Sequence, residues 1–594
     1  WGPEWDPLLA NDTDGVLVQK MNETVDGQYQ KYSVSTGDYI REHFFGPDPR
    51  LRALVEHLSD EQLTKLRRGG HSYRKLYAAY RAATDHQNAP VAILAKTVKG
   101  WTLGKGFEAS NATHQLKKLD ESQLRKFRDT LELPIPDAEL GSAPYYHPGP
   151  NSPEVEYLLE RRRALGGPMP RRTVRVKHLS VQDDQTFGDL LGGSKTNLEA
   201  STTMAFVRVL RKLLRDPVLG KYVVPITPDE ARTFGMESLF REIGIYSARG
   251  QQYDPVDSHV FLNYHEAIDG QLLEEGITEA GSMASFTAAA TGYATHGVPT
   301  IPFYIFYSMF GMQRTADLIW AVGDQRGRGF LLGATAGRTT LNGEGLQHED
   351  GHSHLFSNAF PNLRGYDPAY AYELAVIIRD GMQRMFEKDE DIFYYITLYN
   401  ENYLQPPLPE GTEDGILRGL YLVSPGPACR HRAQIFGSGS MLRCALSAQQ
   451  VLAERWDVGV DVWSATSYQQ LFRDARAVER HNRLHPTTTP HVPYVAQALE
   501  GHDGPVVAVS DWVSEVPSLI GRFIPRRFVP LGTNGYGRSD TRQALRQHFE
   551  VSASWIVATT LSALAQDGVL PPERVVEAMR ELDLDADKPD PMTA

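Results

Sequence analysis

The sequence predicts an α/β protein in which parallel sheets are flanked by helices. Two patterns carry the prediction. Short, unbroken apolar runs such as Ile301-Pro-Phe-Tyr-Ile-Phe306 and Gly329-Phe-Leu-Leu332 lack the polar alternation of a half-exposed strand, so they read as strands covered on both faces. Between such runs lie segments with apolar residues at helical spacing, such as Ala371 to Phe386, and strand–helix alternation of this kind builds parallel sheets. At 594 residues, with 41% hydrophobic and 23% charged content, the chain has ample material for several cores.

Taken in order, residues 1–133 are mixed α/β. Ala89-Pro-Val-Ala-Ile-Leu-Ala95 reads as a buried strand, followed by Gly100, Gly104 and Gly106. Residues 134–172 carry Pro134, Pro136, Pro144, Pro148, Pro150, Pro153, Pro168 and Pro170, the composition of an extended connection. Thr202 to Leu214 is apolar at helical spacing, Tyr222 to Ile226 is a strand, and Glu274 to Ala294 is a helix rich in Ala, Gly and Ser. Asp391 to Leu398 is a further strand. A second proline-rich joint falls at Pro406, Pro407 and Pro409, beyond which strand Ala433–Phe436, helix Met441–Arg455 and strand Val458–Trp463 form a βαβ unit. Three units result: 1–178, 179–408 and 409–594. No solenoid repeat or low-complexity tract interrupts them.

The charge balance, 61 basic against 74 acidic residues, gives −13 and argues against nucleic acid or an anionic membrane as main partner. Only Cys429 and Cys444 are present, so no disulfide framework is expected and the setting is read as cytoplasmic. No apolar run is long enough to span a membrane, and no secretory pattern is present. The chain opens at Trp1 rather than Met and runs straight into ordered-looking sequence, which marks it as part of something longer.

The densest chemistry lies in Thr339-Thr-Leu-Asn-Gly-Glu-Gly-Leu-Gln-His-Glu-Asp-Gly-His-Ser-His354. Its glycines exclude a helix interior and its polarity argues against core, so it reads as a loop where protons move. His348, His352 and His354 leave zinc binding open as the second reading. Glu279 opens a helix among Ala280, Gly281, Ser282 and Ala284; it is either solvent-facing or a desolvated carboxyl that holds a proton. Tyr304-Ile-Phe-Tyr307-Ser-Met-Phe310 reads as core packing, with ring stacking the alternative. Lys99 to His114, rich in glycine, is either a loop able to close over an anion or a plain surface loop. Gly437-Ser-Gly-Ser-Met-Leu442 lacks the third glycine of a dinucleotide fingerprint and reads as an ordinary tight turn. Arg161–Arg163 and Arg171-Arg172 read as solvated charge.

Together, several strings resemble the pyruvate dehydrogenases of the homodimeric bacterial type, the decarboxylating first component of a 2-oxoacid complex. They include Met21-Asn-Glu-Thr-Val-Asp-Gly27, Arg41-Glu-His-Phe-Phe-Gly46, Asp229-Glu-Ala-Arg-Thr-Phe-Gly-Met236, Gly250-Gln-Gln-Tyr253, Gly337 to His354, Tyr366-Asp-Pro-Ala-Tyr370 and Gly535-Tyr-Gly-Arg-Ser-Asp540. The resemblance runs from Trp1 almost to Ala594. It implies a thiamine diphosphate-binding, transketolase-like fold: a remnant of the diphosphate-binding domain, a pyrimidine-binding domain and a transketolase C-terminal-like domain. It also implies oxidative decarboxylation of pyruvate, with the acetyl group passed to the lipoyl domain of a dihydrolipoyl acyltransferase, by a homodimer.

Residue by residue, the resemblance gives Glu279 the bond to the aminopyrimidine ring nitrogen that drives ylid formation. It gives His348 the substrate side, His114 acetyl transfer from a mobile loop, and Lys99 the substrate carboxylate. Asp229, Glu230, Ile277, Tyr307, Phe310 and Arg314 would form the cofactor pocket, with Ile277 holding the cofactor bent. Two departures stand out. Ala109-Ser110 replaces a Gly-Lys pair, which changes the loop's charge. The Gly-Asp-Gly motif that binds Mg2+ does not occur, so the metal ligands are expected upstream and none is assigned in this chain. A related thiamine-dependent 2-oxoacid or ketose enzyme, and a catalytically incomplete dimerising fragment, remain the alternatives.

Overall fold

A computed structural model describes residues 1–104, 106–167, 177–181, 184–194, 198–228, 231–256 and 264–594. The chain divides into two compact units, Trp1–Pro170 and Arg171–Ala594.

The first unit is made of short helices around a small core that includes Trp5, Leu17, Phe44, Phe45, Leu51 and Val55. Helix Tyr73–Asp85 starts where the Ser72 side chain accepts from the Lys75 amide. Two expectations fail here. Residues 89–95 do not form a buried strand: the segment is irregular and Leu94 is 97% exposed. A strand needs a neighbour to take its amides and carbonyls, and no strand occurs among the described residues of this unit. Nor is the proline-rich connection wholly extended. Ser152 caps a helix at Pro153–Ala164, where Pro153 occupies the first turn and lacks only an N–H that would have had no partner.

The second unit holds two large sheets and a short parallel pair, Ile245–Tyr246 with Glu266–Ala267. The first contains β1 (Val223–Thr227), β2 (Leu273–Glu274), β3 (Ile301–Tyr307), β4 (Phe330–Ala334), β5 (Leu363–Tyr366) and β6 (Phe393–Thr397). Their order is β2-β1-β3-β4-β6-β5, and every pairing is parallel. Residues 301–306 and all of β4 are buried, as expected of a sheet covered on both faces.

The covering helices include α1 (Thr202–Arg215), α2 (Glu279–Ala290), α3 (Ser308–Asp324), α4 (Ser353–Ala359) and α5 (Ala371–Phe386). Helix α2 starts later than its small-residue composition predicts. Leu273 and Glu274 pair with β1, Gly276 sits at φ 84°, and the Thr278 hydroxyl then caps the helix by accepting from the Gly281 amide at 3.1 Å.

The second sheet comprises β7 (Tyr421–Ser424), β8 (His431–Gly437), β9 (Val458–Ser464), β10 (Val506–Val509) and β11 (Phe528–Leu531), in the order β11-β10-β8-β9-β7. It is parallel except for the edge strand β7, which runs antiparallel to β9. Helix α6 (Leu442–Trp456) completes the expected βαβ unit between β8 and β9. One contiguous apolar core serves both sheets, with Leu331 and Leu332 of β4 in the same cluster as Ile435 of β8 and Val460 of β9. No helix among the described residues is long and apolar enough to cross a membrane.

Candidate active site

The carboxyl ends of parallel strands are where open α/β sheets present ligand sites, and β3 delivers Tyr307 to that edge. The chain turns at once into α3, which carries Phe310 and Arg314 on its first two turns. Helix α2 packs against α3 and brings Glu279 beside them.

The Glu279 side chain is 12% exposed and accepts from Arg314 Nη1 at 2.9 Å. The Arg314 guanidinium lies 4.4 Å above the Phe310 ring. Phe310 meets the His348 ring edge-on at 4.9 Å, and Tyr307 reaches the same ring at 5.7 Å. Tyr307 is steadied from behind by Phe234 at 5.3 Å, while buried Tyr304 donates to the Glu279 carbonyl at 3.3 Å. Ile277, on the loop before α2, is 79% exposed. The structure therefore brings Glu279, Arg314, Phe310, Tyr307 and His348 together: a carboxylate, a guanidinium, two aromatic rings and an imidazole in one contiguous cluster. Tyr304 and Phe306 are buried as the core-packing reading expects, Tyr307 is half-buried and packs against the same core, and Phe310 is half-buried.

The loop that carries His348 corrects a second expectation. Its polarity argued against core, yet Thr339, Thr340, Glu349, Asp350, Ser353 and His354 are all buried. Buried polar groups are tolerated when they are hydrogen-bonded, and most here are. Asp511 accepts from the Thr339 and Thr340 amides at 2.8 and 3.0 Å and from the Thr340 hydroxyl at 2.6 Å. Asp350 caps α4 by accepting from the His352 and Ser353 amides at 2.9 and 3.0 Å.

The three histidines go separate ways. His348 Nδ1 donates to the Gly345 carbonyl at 3.3 Å. His352 Nε2 donates to Gln313 Oε1 at 2.8 Å. His354 shares a hydrogen bond with the Thr397 hydroxyl at 3.0 Å, and burial holds its imidazole below the usual pKa. Among the described residues no three His, Cys, Asp or Glu groups gather as a metal-binding set.

Within the first unit, Lys99 Nζ donates to His114 Nδ1 at 2.5 Å. The intervening loop is tied at its far end, where Gln30 donates to the Ala109 carbonyl at 2.9 Å and to Asn111 Oδ1 at 3.0 Å. Gly104, Gly106, Ala109 and Asn111 border a cleft of about 1000 Å³. Asp229 and Glu230 lie outside the described residues. Sequence reasoning missed Asp511, the anchor of the His348 loop. It sits 172 residues from Thr339, and no local pattern marks it.

The comparisons with known proteins agree with this architecture. Residues 178–406 match the Pyruvate dehydrogenase E1 component middle domain, and residues 419–552 match the Transketolase-like TK C-terminal domain. The chain is 51% identical over 594 residues to the pyruvate dehydrogenase E1 component of Pseudomonas aeruginosa, covering 100% of this chain and 67% of that protein. It is 52% identical over 592 residues to the one from Mycobacterium tuberculosis (98% and 64%), and 48% identical over 597 residues to the one from Escherichia coli (100% and 67%). It thus spans about two thirds of the length of these relatives.

Among solved structures, transketolase from Campylobacter jejuni aligns with a TM-score of 0.56 at 16% identity, covering 83% of this chain and 66% of that one. Transketolase from Leishmania mexicana gives 0.54 at 16% identity, covering 84% and 66%. Identities this low speak for the fold alone, which is transketolase-like. The identity with curated relatives over almost the whole chain says more: the chain belongs to the pyruvate dehydrogenase E1 component family.

Proposed function

We propose that this chain forms the pyrimidine side and the closing loop of a thiamine diphosphate site that decarboxylates pyruvate and passes the acetyl group to a lipoyl domain. The observation that carries the reading is the gathering of Glu279, Arg314, Phe310, Tyr307 and His348 at the end of β3. A flat, nitrogen-bearing ring suits the chemistry of such a cluster: aromatic faces for its π surface, a carboxylate for a ring nitrogen, and the exposed aliphatic side chain of Ile277 two residues before Glu279 in the chain. When bound, the cofactor supplies a carbon nucleophile that stores the electrons released by decarboxylation.

The side chains of this protein position and move protons. Glu279 takes or gives a proton at the ring nitrogen, with Arg314 Nη1 held on its Oε1. Tyr307 and Phe310 hold the ring by stacking. His348 turns its free Nε2 towards an oxygen of the substrate, because Nδ1 is committed to Gly345. Lys99 answers the substrate carboxylate, and His114, already bonded to Lys99, serves the transfer to the lipoyl thiol. Asp229 and Glu230 join the pocket in this reading. A Mg2+ ion accompanies the diphosphate, and we assign it no ligand in residues 1–594. The partners are a second copy of the chain and the lipoyl domain and core of a dihydrolipoyl acyltransferase, in the cytoplasm.

Calorimetric titration of the full-length protein with thiamine diphosphate and Mg2+ tests the reading. One site per chain is expected, weakened by roughly 1–3 kcal/mol in Phe310→Ala through lost stacking. Absence of binding, or binding indifferent to Phe310, would sink the assignment. His114→Ala is expected to slow acetylation of a lipoyl domain more than decarboxylation. Equal loss in both assays would remove His114 from the transfer step.

A further inference from the structure

The loop that brings His348 into the cluster is fastened on its other side by the C-terminal segment 533–542. Ser539 Oγ donates to the Glu344 carbonyl at 2.5 Å, Arg542 Nε to the Thr340 carbonyl at 2.7 Å, and Arg338 Nη1 to the carbonyls of Gly535 (2.6 Å) and Thr533. At the centre stands Glu349, next to His348 and only 1% exposed. Its Oε2 accepts from the Arg538 amide at 2.7 Å, while Oε1 is buried without a protein partner. The backbone of the two residues is a single tight turn, His348 N–H to Gly345 O at 2.9 Å and Glu349 N–H to Leu346 O at 3.3 Å. Whatever holds Glu349 therefore holds the backbone from which the His348 ring projects.

We propose that Glu349 is a positioning residue whose side chain clips the His348 loop to the Gly535–Ser539 turn and so fixes where the His348 ring stands. The role given to His348 rests on the function proposed above; the clip does not.

The chemistry of the clip follows from its surroundings. The groups around it are Arg338, Asp350 and Asp511, together with Arg538, whose guanidinium is turned to the Ala594 carbonyl. Burial raises the carboxyl and Asp511 adds to the rise, against the Arg538 N–H and the Arg338 charge, and the outcome is a pKa of about 8. The clip therefore holds a neutral acid at neutral pH, with one oxygen accepting from Arg538.

A released Glu349 would ionise near the ordinary value of about 4.3. Because the clipped pKa is the higher one, the clip is strongest below the released pKa. It weakens as pH rises towards about 8 and changes no further above that.

Amide hydrogen exchange of the full-length protein, corrected for intrinsic rates and read at Arg538 and His348 between pH 5 and 9, tests this without cofactor or substrate. Protection in the native protein is expected to fall by up to about tenfold per pH unit to about pH 8 and then level off, since one proton is linked to release. In E349Q, which keeps the acceptor and cannot ionise, protection should be flat and exceed the native level at pH 8. In E349A it should be low at every pH. A flat native profile, a slope that survives in E349Q, or unchanged protection in E349A each overturns the proposal. A protein that shows the clip yet fails to bind thiamine diphosphate would discard the function and leave the clip standing.

Discussion

Two strand ends of the second unit have the same construction and opposite fates. β3 ends at Tyr307 and β8 at Gly437; each is an inner strand of a sheet and turns directly into a helical segment, the place where α/β sheets present ligands. At β8 the space is closed. Gly439 adopts φ 49°, and a Cβ there would overlap the ring of Tyr399, which is fully buried. The Tyr399 hydroxyl donates to Asp367 Oδ1 at 2.5 Å; Asp367 also accepts from the Thr397 hydroxyl at 2.6 Å and from Trp512 Nε1 at 2.8 Å. These hydroxyls, the carboxylate and the indole N–H are all engaged with one another. At β3 the corner is more open: Glu279 pairs with the half-exposed Arg314, and Tyr307 and Phe310 are half-buried, with ring contacts to each other, to Phe234 and His348 and, for Phe310, to that same guanidinium. A strand-to-helix turn becomes a candidate site where the side chains around it stay partly exposed instead of filling the corner.

The comparison can be broken or sharpened by substitution. The largest effect is expected from Glu279→Gln, which keeps the shape and removes the proton acceptor. Hydrogen exchange at the thiazolium carbon of bound cofactor, followed by NMR, should slow by about 10²- to 10⁴-fold with the fold intact. Unchanged exchange would place proton handling elsewhere and erase the contrast between the two corners. Next, Tyr399→Ala should cost about 3–5 kcal/mol in urea unfolding, as a buried aromatic ring is lost. A cost below 1 kcal/mol would mean that the β8 corner is not plugged as described.

Gly439→Ala should destabilise by about 1–3 kcal/mol, because the left-handed backbone and the Tyr399 ring both resist a side chain. Arg314→Met should change stability by less than about 1 kcal/mol, since the pair with Glu279 is half in solvent. A much larger loss would make the pair a structural element of the cluster instead of a replaceable occupant.

Much of the second unit was legible in the sequence because its strands are locally distinctive. The apolar run at 301–306 marks β3, and the helical spacing of 371–386 coincides with α5. The run at 89–95 is equally apolar yet forms no strand, since pairing depends on a neighbour that the run cannot specify. The start of α2 was misplaced for a related reason, as Leu273 and Glu274 were claimed by β1. Of the site, Glu279, Tyr307, Phe310 and Arg314 stood out through the resemblance. The burial of Glu349 did not, because its hydrogen-bond partner, the Arg538 amide, lies far along the chain. The histidine-rich loop read as a place where protons move, and the structure gives each of its three rings a different partner.

The core shared by the two sheets has a consequence for how the second unit comes apart. Leu332 and Ile435 belong to one apolar mass although the proline-rich joint at Pro406, Pro407 and Pro409 separates them in sequence. Heat or denaturant cannot strip one sheet away without exposing the inner face of the other to water. Residues 177–594 should therefore melt in a single endotherm whose calorimetric and van't Hoff enthalpies agree. Cleavage at the joint should yield two pieces that stay associated or precipitate, rather than two independently folded halves.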